Sequence, residues 1–271
     1  LIAYTYSILV DTFGNVPYTE ALDLEAFPNP RYDDAQTIYR DLLAKLTAAV
    51  GTMDATFGSF GTADLLYNGD VANWKKFANS LRLKLAINMD DVDHAYASAQ
   101  ATAAVTSGVI SSASENASLK YLGAQPNANP IFVDVVASGR DDFVPTNTVI
   151  DKMNAMNDPR RPAYFTDIAG AYVGGVPGAG NTFANFSHIG SRLLDPTVEG
   201  LIMDYSEVEF LLAEAAARGI AVGGTADTHY TAAVTASLNY WNVRVVDVVA
   251  YLARLTVVTA TATGSVQQKR G

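Results

Sequence analysis

Cysteine is absent from the 271 residues. That excludes a disulfide framework, a thiolate metal site and a cysteine nucleophile. Histidine is scarce: His94, His188 and His229 lie far apart in the sequence, and none is read as having a metal-ligand partner at helical spacing. Basic residues are outnumbered, 18 Lys and Arg against 28 Asp and Glu, for a net charge of −10. The acids are dispersed, and no basic face is available to neutralise phosphate, so nucleic acid is excluded as a partner. No apolar run approaches the ~18–20 residues that a membrane span needs, so any membrane attachment is expected outside these residues. No secretory leader is read in these residues, since residue 1 is Leu and helical periodicity begins at once, and both ends are expected to be internal. The chain is read as a single domain over 1–271, incomplete at both ends.

Chemistry-bearing motifs are equally sparse. HExxH, GxSxG, a P-loop and a GxGxxG after a strand are all missing. The run Gly174-Gly-Val-Pro-Gly-Ala-Gly180 lacks the Lys-Ser/Thr and the strand–helix context that cradle a phosphate, and is read as flexible loop. Glu207, Glu209 and Glu214 invite a carboxylate-pair reading, with Glu214 able to pair with Arg218 at i+4. A catalytic pair needs a cleft and shifted pKa values, which a surface helix rarely supplies, so a polar helix face is preferred. Asp158 and Arg160 are read as capping and clamping a helix end. No cofactor, no metal and no catalytic residue is expected.

What is present is helical periodicity. Apolar stripes predict helices over about residues 2–13, 34–50, 71–89, 93–107, 146–156, 203–218, 226–241 and 245–254. Asp33 or Asp34 is the expected N-cap of the second, and Gly51 its stop. In the 203–218 helix, Ser206 with Glu209 forms an expected capping box and Gly219 the C-terminal stop. The stretch 256–263 alternates weakly, as strand or loop. Helices in consecutive pairs suggest packing of the tetratricopeptide type, although no period of ~34 residues is visible. The fold class is mainly α, with tetratricopeptide-like pairs and long irregular loops.

Trp74 and Phe77 lie on one helix stripe and are read as core, while Tyr240 and Trp241 suit either core or cleft. The loop over 164–200 is rich in Gly and aromatics and is too long for a minimal connection. Exposed rings stack on the apolar faces of sugars while Asn and Asp bind hydroxyls. Tyr164, Tyr172, Phe183, Phe186 and His188 are therefore the candidate ligand-binding residues. The alternative is that these rings fold back onto the body.

The order of residues adds a resemblance. Tyr205-x-Glu-Val-x-Phe-Leu-Leu-Ala-Glu-Ala-x-x-Arg-Gly219 closely resembles a signature of the SusD/RagB family. Matching segments occur in family order: Asp11-Thr-Phe-Gly-Asn-Val-Pro-Tyr-Thr-Glu-Ala21, Pro30-Arg-Tyr-Asp33 with Ile38-Tyr39, and Asp64-Leu-Leu-Tyr-x-Gly-Asp70. Trp74-Lys-Lys-Phe-Ala-Asn-Ser-Leu-Arg-Leu-Lys-Leu-Ala86, Asn157-Asp-Pro-Arg160 and Tyr230-x-x-Ala-Val-x-Ala-Ser-Leu-Asn-Tyr-Trp241 follow. Gln268-Lys269 resembles the start of a further block. The resemblance implies a nutrient-binding lipoprotein, not an enzyme, on the extracellular face of a bacterial outer membrane. It further implies an oligosaccharide or peptide ligand and a SusC-like TonB-dependent β-barrel as partner, with the membrane reached through an N-terminal lipid outside this chain. Two other readings compete: a helical-repeat scaffold that binds only protein, and a surface glycosidase, which no constellation of residues supports.

Overall fold

The computed structural model describes residues 1–57 and 59–261, with residues 255–261 as backbone alone. Gln268-Lys269 lies outside the described residues. The chain forms two compact units. Among the described residues, the first comprises 1–116 with 203–230, and the second comprises 117–202 with 231–261.

The first unit is built from α1 (Ile2–Phe13), α2 (Ala35–Thr52), α3 (Val71–Met89), α4 (His94–Ser107), α7 (Tyr205–Ala217) and the first turn of α8 (Ala226–Tyr240). Aspartates start four of these helices in the same way. Asp34, Asp70, Asp93 and Asp204 each accept a hydrogen bond from the backbone N–H three residues on, which satisfies one of the otherwise orphaned donors of the first turn.

α3 is the central helix, in contact with α2, α4 and α7. It buries side chains all round rather than along one stripe, from Phe77 to Leu83 without interruption, as a helix enclosed by neighbours must. Two of its buried polar side chains find partners outside the helix: Asn79 donates to the Gly108 carbonyl at 3.0 Å, and Ser80 Oγ accepts from the Ile110 amide at 2.9 Å. Ile38, Leu42 and Leu43 of α2 meet it without exposure. α4 presents only Ala97, Ala101 and Ala104, also fully buried, whose small side chains let the two helix axes approach. A short antiparallel pair, β1 (Val16–Pro17) with β2 (Tyr32–Asp33), closes the turn after α1.

α7 departs from expectation at its start. Asp204, not Ser206, is the N-cap, and Ser206 is buried inside the helix. Asp204 with Glu207 offers the same spacing as Ser206 with Glu209, two residues earlier, and lets Ser206 and Val208 turn inward. The C-terminus follows expectation. Gly219 takes φ 82°, and the Gly219 and Ile220 amides return to the Ala216 and Ala215 carbonyls, a Schellman stop that a Cβ would strain. The helix is no surface helix: Glu209 and Glu214 are buried. Glu214 pairs with Arg218 at 2.9 Å, which also holds Asp90 and Asp91, and Glu207 pairs with Lys84 at 2.7 Å.

The second unit has little regular structure. β3 (Ala117–Leu119) pairs with β4 (Gly200–Met203), and a π-helical turn covers Phe132–Ala137. α5 (Asn147–Ala155), the four-residue α6 (Arg161–Tyr164), the rest of α8 and α9 (Val245–Thr261) complete it. α9 runs on through 256–261, where strand or loop was predicted; a helix already formed gains one hydrogen bond per added residue, which outweighs a weak alternation. Ile150, Met153, Ala233, Val234, Leu238, Val248 and Tyr251 form its apolar core. Asp158, with 2% exposure, accepts from the Arg160 guanidinium at 3.0 and 2.5 Å, while Arg160 also reaches Ser237 at 2.8 Å. The expected clamp at the end of α5 is thus present and ties residues 158–160 to α8.

Candidate ligand-binding surface

The segment 164–190 is a folded ribbon, not a free loop. The Thr166 amide donates to the His188 carbonyl at 3.0 Å, and the Gly190 amide to that of Tyr164 at 2.7 Å. The Ser187 amide meets the Val173 carbonyl at 2.9 Å, and Ser187 Oγ accepts the Val173 amide in return. Gly190 is required at its position, because a Cβ there would stand 2.7 Å from the Ala163 carbonyl oxygen. Gly174 and Gly175, read from the sequence as flexible, belong to the same framework: the Asn147 amide donates to the Gly175 carbonyl at 2.8 Å, and a Cβ on Gly174 would stand 2.5 Å from the Asn147 backbone.

All five candidate residues are half-buried, so neither the free-standing nor the fully folded-back reading describes them. They fall into separate groups. Phe183 and His188 stack face to face, 3.7 Å between centroids with planes 5° apart, and the His188 ring nitrogen Nε2 meets the Phe183 carbonyl at 3.0 Å. Tyr164 packs edge-on against Trp241 at 4.4 Å and against Phe165 at 5.9 Å. Burial raises the Tyr164 phenol above its ordinary pKa, with Arg160 and Arg192 acting in the opposite direction. Tyr172 lies under the Arg161 guanidinium at 5.3 Å, and its carbonyl accepts from Asn154 at 2.9 Å. Phe186 is half-buried beside the buried Ser187.

Arg192, Tyr240 and Trp241, outside the predicted set, join the Tyr164 group. Arg192 lies over the Tyr240 ring at 4.9 Å and the Trp241 ring at 4.7 Å. Tyr240 and Trp241 are themselves half-buried, between the core and cleft readings. No spacing rule points to Arg192, because the rings it meets are about fifty residues further along the chain.

In the first unit the aromatics are organised differently. Phe77 is buried, but Trp74 is only partly so, with its Nε1 donating to Asp64 at 2.6 Å and its ring edge-on to Tyr67. Asp64 also accepts the amides of Leu66, Tyr67 and Gly69. Burial acts to raise its pKa, yet these N–H donors outweigh it and hold the carboxyl below the ordinary carboxylate range. An apolar cavity of about 590 Å³ opens beside them, lined by Met53, Phe60, Leu65, Leu66 and Val71. A polar cavity of about 490 Å³, lined by Asp34, Tyr39, Asn88 and Arg218, lies at the start of α2.

The histidines are not isolated. His94 Nδ1 is 2.8 Å from Asp90, four residues earlier, and His229 lies between Glu209 at 2.6 Å and the Gly223 carbonyl at 2.7 Å. The sequence reading overlooked the Asp90–His94 spacing, whereas Glu209 and His229 are twenty residues apart and fall outside any helical-spacing rule. Among the described residues, no group of three His, Asp or Glu side chains converges as a metal site.

Comparison with known proteins places this scaffold. The family model described as SusD-like, "Starch-binding associating with outer membrane", matches residues 1–271. A SusD-like protein from Bacteroides thetaiotaomicron is 32% identical, with 93% of this chain and 53% of that one covered at a TM-score of 0.80. A SusD homolog from Bacteroides uniformis is 33% identical, over 91% of this chain and 52% of that one, also at 0.80. A chitin-binding SusD homolog from Flavobacterium johnsoniae is 29% identical, over 90% and 51%, at 0.78. The chain thus spans about half the length of these solved structures. No curated protein matches it. With the family model matched from the first residue to the last, and the mainly helical fold shared, the chain belongs to the SusD-like family.

Proposed function

We propose that this chain is the ligand-binding part of a glycan-capture protein held at the outer membrane, which binds an oligosaccharide and passes it to a TonB-dependent β-barrel transporter. The carrying observation is the match to a starch-binding, outer-membrane-associated family across 1–271, joined by a chitin-binding relative at 29% identity. Residues 1–271 are read as one family domain on the same ground. The chemistry of the second unit supports the reading. Tyr164, Tyr172, Phe183, Phe186 and His188 offer partly exposed rings on a backbone-bonded ribbon, and rings held in place bind sugar faces at low entropic cost. The capture step is stacking and hydrogen bonding without bond cleavage.

Attachment through an N-terminal lipid, and a lid-like role over the barrel, belong to the same proposal. Its test is isothermal titration of the purified chain against malto- and chito-oligosaccharides. Micromolar to millimolar binding is expected, with the combined Tyr172→Ala, Phe183→Ala and Phe186→Ala variant weakened at least tenfold. Silence across the panel would reject the glycan reading, and unchanged binding by the variant would reject the site. Co-purification of the full-length protein with a large β-barrel tests the partner.

A further inference from the structure

Among the described residues, most arginines meet a carboxylate: Arg31, Arg40, Arg140, Arg160, Arg218 and Arg244 all do. Arg192 differs. Its recorded side-chain contacts are the faces of Tyr240 and Trp241, and its enclosed Nη1 has no hydrogen-bond partner. The nearest acid in sequence, Asp195, turns instead to the Thr197 amide at 2.7 Å and hydroxyl at 2.6 Å. A partly desolvated guanidinium whose enclosed Nη1 has no partner has given up hydration there without replacing it. Two rings hold its plane, so its donor fork is already oriented. Beside it stand Trp241 and Tyr164, 4.4 Å apart.

We infer that Arg192 makes this surface selective for oligosaccharides that carry a carboxylate, the guanidinium taking the uronate group while the Tyr164–Trp241 side meets the sugar ring. The inference rests on the glycan-binding reading above and names the substrate class for it. A planar fork matches a carboxylate in two parallel bonds, which a hydroxyl cannot reproduce. The chain's net charge of −10 repels a densely charged polyanion, so the ligand favoured is a mainly neutral glycan with isolated acidic residues.

The probe is a xylo-oligosaccharide bearing one glucuronate, titrated against its carboxyl methyl ester with the whole chain. The expected result is an acid bound about tenfold or more tightly than its ester at low salt, as charge-assisted hydrogen bonds supply, with the gap narrowing as salt rises. Arg192→Gln should abolish the gap between acid and ester, and Arg192→Lys, which keeps the charge but loses the fork, should retain part of it. Circular dichroism confirms that each variant is folded, and the acid–ester comparison on the unaltered chain needs no variant. Equal binding of acid and ester, or a gap that survives Arg192→Gln, overturns the inference. Binding of neutral chito- or malto-oligosaccharides alongside equal acid and ester affinities rejects it alone; silence from every glycan rejects the glycan-binding reading with it.

Discussion

The two units hold themselves together by different means. In the first, leucines of neighbouring helices meet at full burial, and buried polar groups such as Asn79 answer particular neighbours, here the Gly108 carbonyl. In the second, long irregular segments separate the helices, and the ion pair of Asp158 and Arg160 ties the end of α5 to α8. A core of apolar side chains is non-directional and tolerates repacking. A clamp of charges demands fixed geometry but leaves the connecting segments free to vary. The ribbon of candidate binding residues belongs to the unit that uses the clamp.

The sequence contains two tryptophans, and each unit has one: Trp74 in the first and Trp241 in the second. Trp74→Phe and Trp241→Phe backgrounds therefore give each unit its own fluorescence. The largest effect is expected from Asp158→Ala, which strands the Arg160 guanidinium and should cost about 3–5 kcal/mol. Urea denaturation followed through Trp241 should register it more strongly than the Trp74 signal does. Leu42→Ala, at a position with no exposure, should cost about 3 kcal/mol through lost burial and a residual cavity, with the order of the two signals reversed. If both substitutions moved both signals equally, the contrast between clamp and core would be wrong.

The smallest effect concerns pH. The Asp64 carboxyl is held below its ordinary pKa in the folded chain, so its contribution is present above the unfolded value of about 4. That contribution is lost as pH falls through the folded value. Acid titration should therefore perturb Trp74 emission below about pH 4, and Asp64→Asn should remove the transition.

Much of the first unit was legible in the sequence because its helices announce themselves twice, by an apolar stripe and by an Asp at the start. α3 and α4 lie close to their expected bounds for that reason, while α1, with Leu1 as its N-cap, was legible from its stripe alone. The start of α7 was misplaced because Asp204 and Ser206 both qualify as caps, and only burial of Ser206 decides between them. α6 was missed because a single turn has no period to detect. The site was half legible. Aromatic and glycine content marked the ribbon, but the meeting of Tyr164 with Trp241 and the placement of Arg192 depend on contacts across many residues, and local pattern carries no trace of those.

One consequence follows from how the first unit is drawn from the chain. Its central helix, α3, is covered on one side by α7, and Lys84 finds its partner at Glu207 only after residues 117–202 have been made. At a synthesis rate of about 5–20 residues per second, the apolar flank of α3 waits on the order of ten seconds for its cover. During that interval the flank of α3 that carries Lys84 lacks its cover, an exposure that ends only when α7 has been made.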